Sequence, residues 1–334
     1  MKIEIYKSIY SYRKLPKNIN KLNIKNFSHE LKKLIPASYI HVKLNVYLVN
    51  QSLISFKNFT VFSKYTHYPN NKKIDVLKLS LKNLYKGVSK KRKTYNQGIW
   101  IFDDKVNVYY HWLFDSLQRY LLIPERYKDY PVLVPQIYNL KWVKEHLDFL
   151  GINYRVVENN KIIKIKKIII PSYSAPSGNF NKNVVTQLRK LYLKSVINLD
   201  LEIKYERIWI ERNNSRRNAS NKDEIKKIIN KYNFHSIDPA NLEIQEVIKI
   251  INGAKIIAGL HGSGLANILF ANKNTTLIDI RERDDNYRNA LFSLASDLGI
   301  EYYCFNETIL DEKNDSVYLD PQILEKLLSE TLEQ

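Results

Sequence analysis

Two groups of residues in this 334-residue chain have types and spacing suited to chemistry. The first is Leu260-His261-Gly262-Ser263-Gly264-Leu265-Ala266-Asn267, set between the apolar residues 256–258 and Ile268-Leu269-Phe270-Ala271. That order predicts a strand, a tight glycine turn and a helix. At such a junction the unpaired N–H groups of the first helical turn, together with the helix dipole, attract an anion. Gly262 and Gly264 let the backbone approach a ligand with no Cβ in the way, and His261 adds a hydrogen-bonding ring. The segment has neither the Gly-Lys-Ser/Thr of a phosphate loop nor the spacing of a dinucleotide fingerprint. Taken alone, a structural turn with a satisfied histidine explains it equally well. Upstream lies Arg212-Asn213-Asn214-Ser215-Arg216-Arg217, ahead of a helix opened by Asn221 with Glu224 three residues on. The last two resemble a capping box with Asn in the Ser/Thr place. Arginine forks match phosphate oxygens, so this loop is better explained as a diphosphate clamp than as a solvated basic surface.

The second group is Tyr109-Tyr110-His111-Trp112-Leu113-Phe114-Asp115-Ser116-Leu117-Gln118-Arg119. On a helix His111, Asp115 and Arg119 share one stripe, while Leu113, Leu117 and Tyr120 face the core. A His and an Asp on one face suit a general base with an orienting partner. They also suit two metal ligands, though no third is evident nearby, or an exposed pair of no function.

The elements that must position these groups are clearest in the C-terminal half. Strand-like runs at 208–210, 234–237, 254–258, 276–280 and 302–305 alternate with helical spacing at 221–232, 242–252, 264–271 and 287–298. Five strands and four helices across short loops predict a parallel sheet covered on both faces, with its binding edge at the strands' carboxyl ends. In the N-terminal half, 41–49 and 54–62 alternate like antiparallel strands and 72–85 continues in mixed fashion. From Gly98 the pattern becomes strand 99–102, helix 110–122, strand 132–134, helix 140–150 and strand 155–157, then an apolar run with interspersed lysines at 162–170 that ends at Pro171. Residues 172–178 form a loop and a hinge candidate, and a helix follows at 184–196. The domain border is expected between Pro171 and Tyr205.

Composition bounds the function classes. Length favours two domains, and 44% hydrophobic residues with 24 tyrosines argue against disorder. The single cysteine, Cys304, excludes an intramolecular disulfide framework and suits a reducing compartment. The N-terminal residues lack the apolar core of a signal peptide, and no run reaches the ~18 apolar residues of a membrane span. The Asn-x-Ser/Thr sequons are read as incidental to an Asn-rich composition. A net charge of +19 favours anionic partners, with an acidic membrane surface or an anionic donor ahead of nucleic acid, for which no recognised module is visible.

Together these segments resemble glycosyltransferase family 61. The matching residues are His111-Trp112 with Asp115; Arg212, Arg216, Arg217, Asn221 and Glu224; and His261-Gly262-Ser263-Gly264-Leu265-Ala266-Asn267 with Phe270. Gln245 also fits. The resemblance runs from about Gly98 to Tyr303, and Asn221-Lys222 stands where the family has Asn-Glu. It implies a GT-B-like α/β architecture, two Rossmann-like domains facing a cleft, the first with extra antiparallel strands. It also implies an inverting glycosyltransferase acting from a nucleotide sugar, UDP type, as a hexosyl-, N-acetylhexosaminyl- or pentosyltransferase.

On that basis residues 1–95 form an N-terminal extension of the acceptor domain, 96–185 its base-bearing part and 186–315 the nucleotide-sugar domain. Residues 316–334 form a helix that crosses back over the first domain. Donor binding falls to Arg212, Arg216, Arg217, Asn221, His261, Gly262, Ser263, Gly264, Leu265 and Asn267. Asp115 is the first candidate for the catalytic base and His111 the alternate. No metal is expected, since cations and helix dipoles can neutralise a leaving diphosphate. The expected partners are the donor, a glycan or lipid-linked glycan acceptor and an anionic membrane. The expected place is the cytoplasm, peripheral at the inner face of the membrane, in surface-polysaccharide or capsule synthesis. The competing reading is a non-catalytic, basic nucleotide- or nucleic-acid-binding protein, which leaves the His111–Asp115 pair without a task.

Overall fold

A computed structural model describes residues 1–49, 52–55, 60–66, 82, 91–158, 161–196, 205–213 and 218–333. The chain divides into two compact units: Met1–Ile9 with Leu34–Ser177, and Tyr10–Lys33 with Gly178–Gln334.

Unit 1 is built on an eight-stranded sheet. Its strands are β1 (Lys2–Tyr6), β2 (Ser38–Val49), β3 (Ser52–Ser55), β4 (Thr60–Val61), β5 (Lys91–Ile99), β6 (Val132–Pro135), β7 (Tyr154–Val157) and β8 (Lys161–Pro171). They lie in the order β4-β3-β2-β8-β5-β6-β7, with β1 also on β2. The strands from β8 to β7 are parallel, and β1 to β4 add an antiparallel extension. Central β8 buries Ile162, Ile163, Ile165 and Ile168 to Ile170, as a strand covered on both faces must.

The expected strand at 99–102 is a correction. The strand lies earlier, at Lys91–Ile99, and Trp100, Ile101 and Phe102 follow it as buried non-strand residues. Their apolar character serves packing: the Phe102 ring stacks on Trp112 at 6.0 Å and on Tyr138 at 5.8 Å. The expectation for residues 72–85 lies outside the described residues, Lys82 apart.

Unit 2 carries β9 (Arg207–Ile210), β10 (His235–Ile237), β11 (Ile256–Leu260), β12 (Thr276–Glu282), β13 (Glu301–Asp311) and β14 (Ser316–Tyr318). The spatial order is β10-β9-β11-β12-β13-β14, with Asn218–Ala219 beyond β14. The pairs from β10 to β13 are all parallel, and β14 runs antiparallel to β13. Counted along the chain, the five parallel strands stand in the doubly wound order 2-1-3-4-5. In such a sheet the winding direction reverses between the first and third strands, here β9 and β11, and ligands bind outside the carboxyl ends at that point.

The helices Lys222–Lys231 and Pro321–Leu332 share one apolar cluster, in which Ile225, Ile229, Leu324, Leu327 and Leu328 meet Trp209, Ile278 and Phe305. The leucine stripe of the last helix thus packs on unit 2's own sheet and helix.

The segment Tyr10–Lys33 also belongs to unit 2, which the sequence assignment of residues 1–95 did not anticipate. Its anchors are mostly polar. Ser11 Oγ donates to Asp297 at 2.7 Å, Arg13 pairs with Glu30 at 2.7 Å and donates to Asn179 at 2.8 Å. The Asn18 amide donates to the Cys304 carbonyl at 2.7 Å and accepts from its N–H at 3.2 Å, pairing with β13 like a short strand. Phe27 meets Phe292 edge-on at 5.1 Å.

Candidate active site

In unit 2 the pairing of β9 with β11 sets Ile210 opposite Gly259. The next residues of each strand, Glu211-Arg212 and Leu260-His261-Gly262, are therefore neighbours at the switch point. Arg212 Nη1 donates to the His261 carbonyl. Gly262 is required for space rather than for backbone conformation, because its φ of 166° is ordinary extended chain. A Cβ there would run into the Arg212 guanidinium, with Cζ at 2.6 Å. A Cβ on Gly264 would lie 2.9 Å from the Ile210 side chain.

The helix expected at 264–271 is present as a 3₁₀ helix, Ser263–Phe270. The Asn267 amide donates to the Gly264 carbonyl at 2.8 Å, a local bond of the kind that competes with α-helical pairing. Leu265 to Phe270 are buried among the helices Lys182–Val196, Ile244–Gly253 and Ala290–Leu298, so the first turn is held rigidly at the sheet edge.

The proposed donor residues thus separate by environment. Arg212, His261, Gly262, Ser263 and Gly264 come together at the switch point, whereas Leu265 and Asn267, each 1% exposed, support the turn from within. Asn221 is occupied elsewhere. Its amide donates to the Glu224 side chain and to the Leu319 carbonyl, both at 2.8 Å. It makes no capping bond to its own helix, so the expected capping box is absent, and Asn221 instead ties that helix start to the chain entering the last helix. Arg216 and Arg217 lie outside the described residues. A small pocket at the end of β9 is lined by Ile210, Glu211, Arg212, Lys222 and Leu260, among others.

Behind His261 lies a buried network that sequence reasoning missed. His261 Nδ1 stands 3.0 Å from each oxygen of Asp279. Asp279 also accepts from Arg281 Nε at 2.9 Å and from the Tyr302 hydroxyl at 2.7 Å. Burial alone would raise the Asp279 carboxyl, but the charges of His261 and Arg281 and the hydrogen bonds from His261 and Tyr302 hold it well below the usual range. Burial pushes the Tyr302 hydroxyl and the neighbouring Cys304 thiol up, the latter to about 12. The available signal was Asp279-Ile280-Arg281: two charges on the same face of an otherwise apolar strand are rarely buried unless paired.

In unit 1 the predicted helix is a composite: an α turn at Tyr109–His111, a π-helical stretch at Trp112–Leu117 and an α turn at Gln118–Tyr120. Such π stretches are frequent at functional sites. All six residues of the stretch are buried. The His111–Asp115 pair forms, with Nδ1 to Oδ2 at 2.5 Å, and Ser177 Oγ donates to the same oxygen at 2.8 Å. Asp115 is only 4% exposed, while the His111 side chain is 21% exposed.

Arg119 does not continue an exposed stripe. It is fully buried and donates to the carbonyls of Tyr65, Ile101, Phe102 and Pro171. Tyr120, expected in the core, is half-buried. The loop expected as a hinge is fastened to this helix up to Ser177. Ser174 Oγ donates to Gln118 and the Tyr173 hydroxyl to Asp103, each at 2.7 Å. The unit border follows immediately, at Ser177/Gly178.

The family description Glycosyltransferase 61 matches residues 109–278, half of the chain. The chain belongs to this family. Its chemistry is therefore glycosyl transfer, and the matched span runs from the π-bulged helix through the glycine turn into β12. No curated protein matches the chain. Among the described residues of this glycosyltransferase, no helix is long and apolar enough to cross a membrane. No group of three or more His, Cys, Asp or Glu side chains is placed to hold a metal among them either.

Proposed function

We propose that this glycosyltransferase transfers a sugar with inversion from a nucleotide sugar, UDP type, to a glycan or lipid-linked glycan acceptor in surface-polysaccharide synthesis. One observation carries the donor half of this reading: Arg212, His261 and the glycine turn converge at the winding reversal of unit 2's parallel sheet. A guanidinium, a histidine ring and the free N–H groups of a helix start are the groups that stabilise a leaving diphosphate, which supports transfer without a divalent ion. Arg216 and Arg217, close in sequence, complete the proposed clamp.

Inverting transfer needs one group that takes the acceptor hydroxyl's proton as the new bond forms. The surroundings of the pair in unit 1 favour His111 for that task over Asp115. The His111 side chain keeps 21% of its surface exposed, while Asp115 is buried with one oxygen already taking two hydrogen bonds. Asp115 then orients the ring and balances the imidazolium, as a buried carboxylate does beside a basic histidine. In this reading the units serve as the two halves of a GT-B enzyme, unit 2 for donor and unit 1 for acceptor and base. The net charge of +19 supports work in the cytoplasm, peripheral to an anionic membrane leaflet.

The test is a panel of nucleotide sugars incubated with the protein alone, followed by release of the nucleoside diphosphate. Hydrolysis of one donor class, lost in Arg212→Ala, is the expected result. A protein that binds oligonucleotides and hydrolyses no donor would overturn the reading.

A further inference from the structure

The His261–Asp279 pair carries an inference that rests on the donor-site reading above. An ionised carboxylate only accepts hydrogen bonds, and His261 Nδ1 sits 3.0 Å from both Asp279 oxygens, so Nδ1 bears the proton. A neutral ring then presents Nε2 as a bare lone pair. A diphosphate oxygen also offers only lone pairs, so the two repel unless Nε2 carries a second proton. We propose that His261 receives the donor's diphosphate as an imidazolium, and that Asp279 is the positioning residue and counter-ion that holds it in that form.

The surroundings fit this division of labour. Asp279 and Arg281 neutralise one another at 2.9 Å. Tyr302 bridges them, with its hydroxyl 2.7 Å from Asp279 and 2.6 Å from Arg281. Cys304 and Asp285 are the other titratable groups close enough to act on that network. On the ligand side the charge next to His261 is Arg212, bonded to its carbonyl. Asp279 is the only anion in contact with the His261 ring among the described residues. The network is fixed from behind by uncharged groups. Arg281 donates to Asn289 at 3.2 Å, and the Asn289 amide donates to the Asn26 carbonyl at 2.7 Å. The Arg281 guanidinium lies 6.0 Å from the centre of the Phe27 ring. The segment Tyr10–Lys33 thereby helps to aim a histidine more than two hundred residues away in sequence.

The experiment is UDP binding by calorimetry from pH 5.5 to 9 in the full chain and in Asp279→Asn. Asparagine can still accept from Nδ1–H but carries no charge. The nucleotide's own ionisation near pH ~6 is common to both proteins, so the difference between the curves belongs to the protein. Wild-type affinity should fall about tenfold as pH rises, the scale of a lost charge-assisted bond. In Asp279→Asn affinity at pH 7.5 should lie about tenfold below wild type, with affinity at the acid end kept within about twofold.

Superposable curves, or wild-type binding that ignores pH, would overturn the inference while leaving the donor site standing. Absence of UDP, GDP or ADP binding at every pH would overturn the donor-site reading itself. Should Asp279→Asn fail to fold, because it strands Arg281, His261→Gln decides instead. Its affinity should vary with pH only through the nucleotide's own ionisation, and a wild-type pH curve in that variant refutes the imidazolium.

Discussion

Gly262→Ala isolates the contribution of Arg212 to diphosphate binding without touching a charged residue. The backbone at 262 is extended, with φ 166°, so alanine is tolerated by the chain itself. The added methyl, however, occupies space held by the Arg212 guanidinium, whose Cζ would lie 2.6 Å and Nη2 3.2 Å from it. The colliding atoms are the far end of a flexible side chain, so Arg212 swings out instead of the turn unfolding. Its bond to the His261 carbonyl is lost, costing about 1 kcal/mol of stability or less in this half-buried setting. The larger effect falls on the ligand, since a charge-assisted contact to a phosphate oxygen is worth roughly 1.5–3 kcal/mol, or about 10- to 150-fold in Kd.

Isothermal calorimetry with UDP, paired with thermal unfolding, separates the two quantities. Because the methyl acts through Arg212, the effects of Gly262→Ala and Arg212→Ala should not add, and the double variant should bind no more weakly than Arg212→Ala alone. Lys166→Ala, on an exposed position of β8, is the control and should bind normally. Unchanged affinity in Gly262→Ala with an intact fold would remove Arg212 from the diphosphate site. Full additivity would show that the methyl acts by another route.

Three further outcomes are expected. His111→Ala should lower kcat roughly a hundredfold or more with donor KM unchanged, and Asp115→Asn should lower it less; single-turnover transfer that ranks them the other way makes Asp115 the base. Turnover should persist in EDTA, and activity lost on chelation and restored by manganese would place a metal in the reaction. His146 is buried and its ring is pushed down to about 3 by burial, against ~6.5 in the unfolded chain. The unfolded state therefore binds the extra proton, and stability is lost as pH falls below that value. The loss is about 2 kcal/mol by pH 5, measured by urea unfolding and absent in His146→Gln.

The parallel sheet of unit 2 was legible because strands buried on both faces must be apolar almost throughout. Runs such as Ile208 to Ile210 and residues 276–280 have no other reading between helices of that length. The glycine turn was legible from its residue types between two apolar runs, and the structure adds that the space a Cβ on Gly262 would need is held by Arg212. Arg119 was not legible. Helical spacing put it on a polar stripe, but four carbonyls, the most distant of them at Tyr65 in the sequence, satisfy its donors inside the fold. Sequence pattern does not report acceptors from so far away. The same holds for Asp279, whose partners His261 and Tyr302 come from neighbouring strands, and for Asn18, which pairs with Cys304 across a separation of 286 residues. The π-helical stretch leaves no mark either, since its residues would suit an α-helix equally well.

The alternation of the chain between the units bears on biosynthesis. Residues 1–9 belong to unit 1; the chain passes into unit 2 at Tyr10, returns at Leu34 and enters unit 2 again after Ser177. Residues 10–33 therefore leave the ribosome long before β13 and the helix Ala290–Leu298, on which they fasten, and must wait for those partners while unit 1 is made. Domains that fold as units during synthesis have no such option here, because unit 2 cannot close until its final helix, Pro321–Leu332, joins the cluster around Ile225 and Ile229. An expression fragment beginning at Gly178, although it holds every strand of the donor sheet, would lack Asn18, Asn26 and Phe27 and so would leave the network behind His261 unsupported.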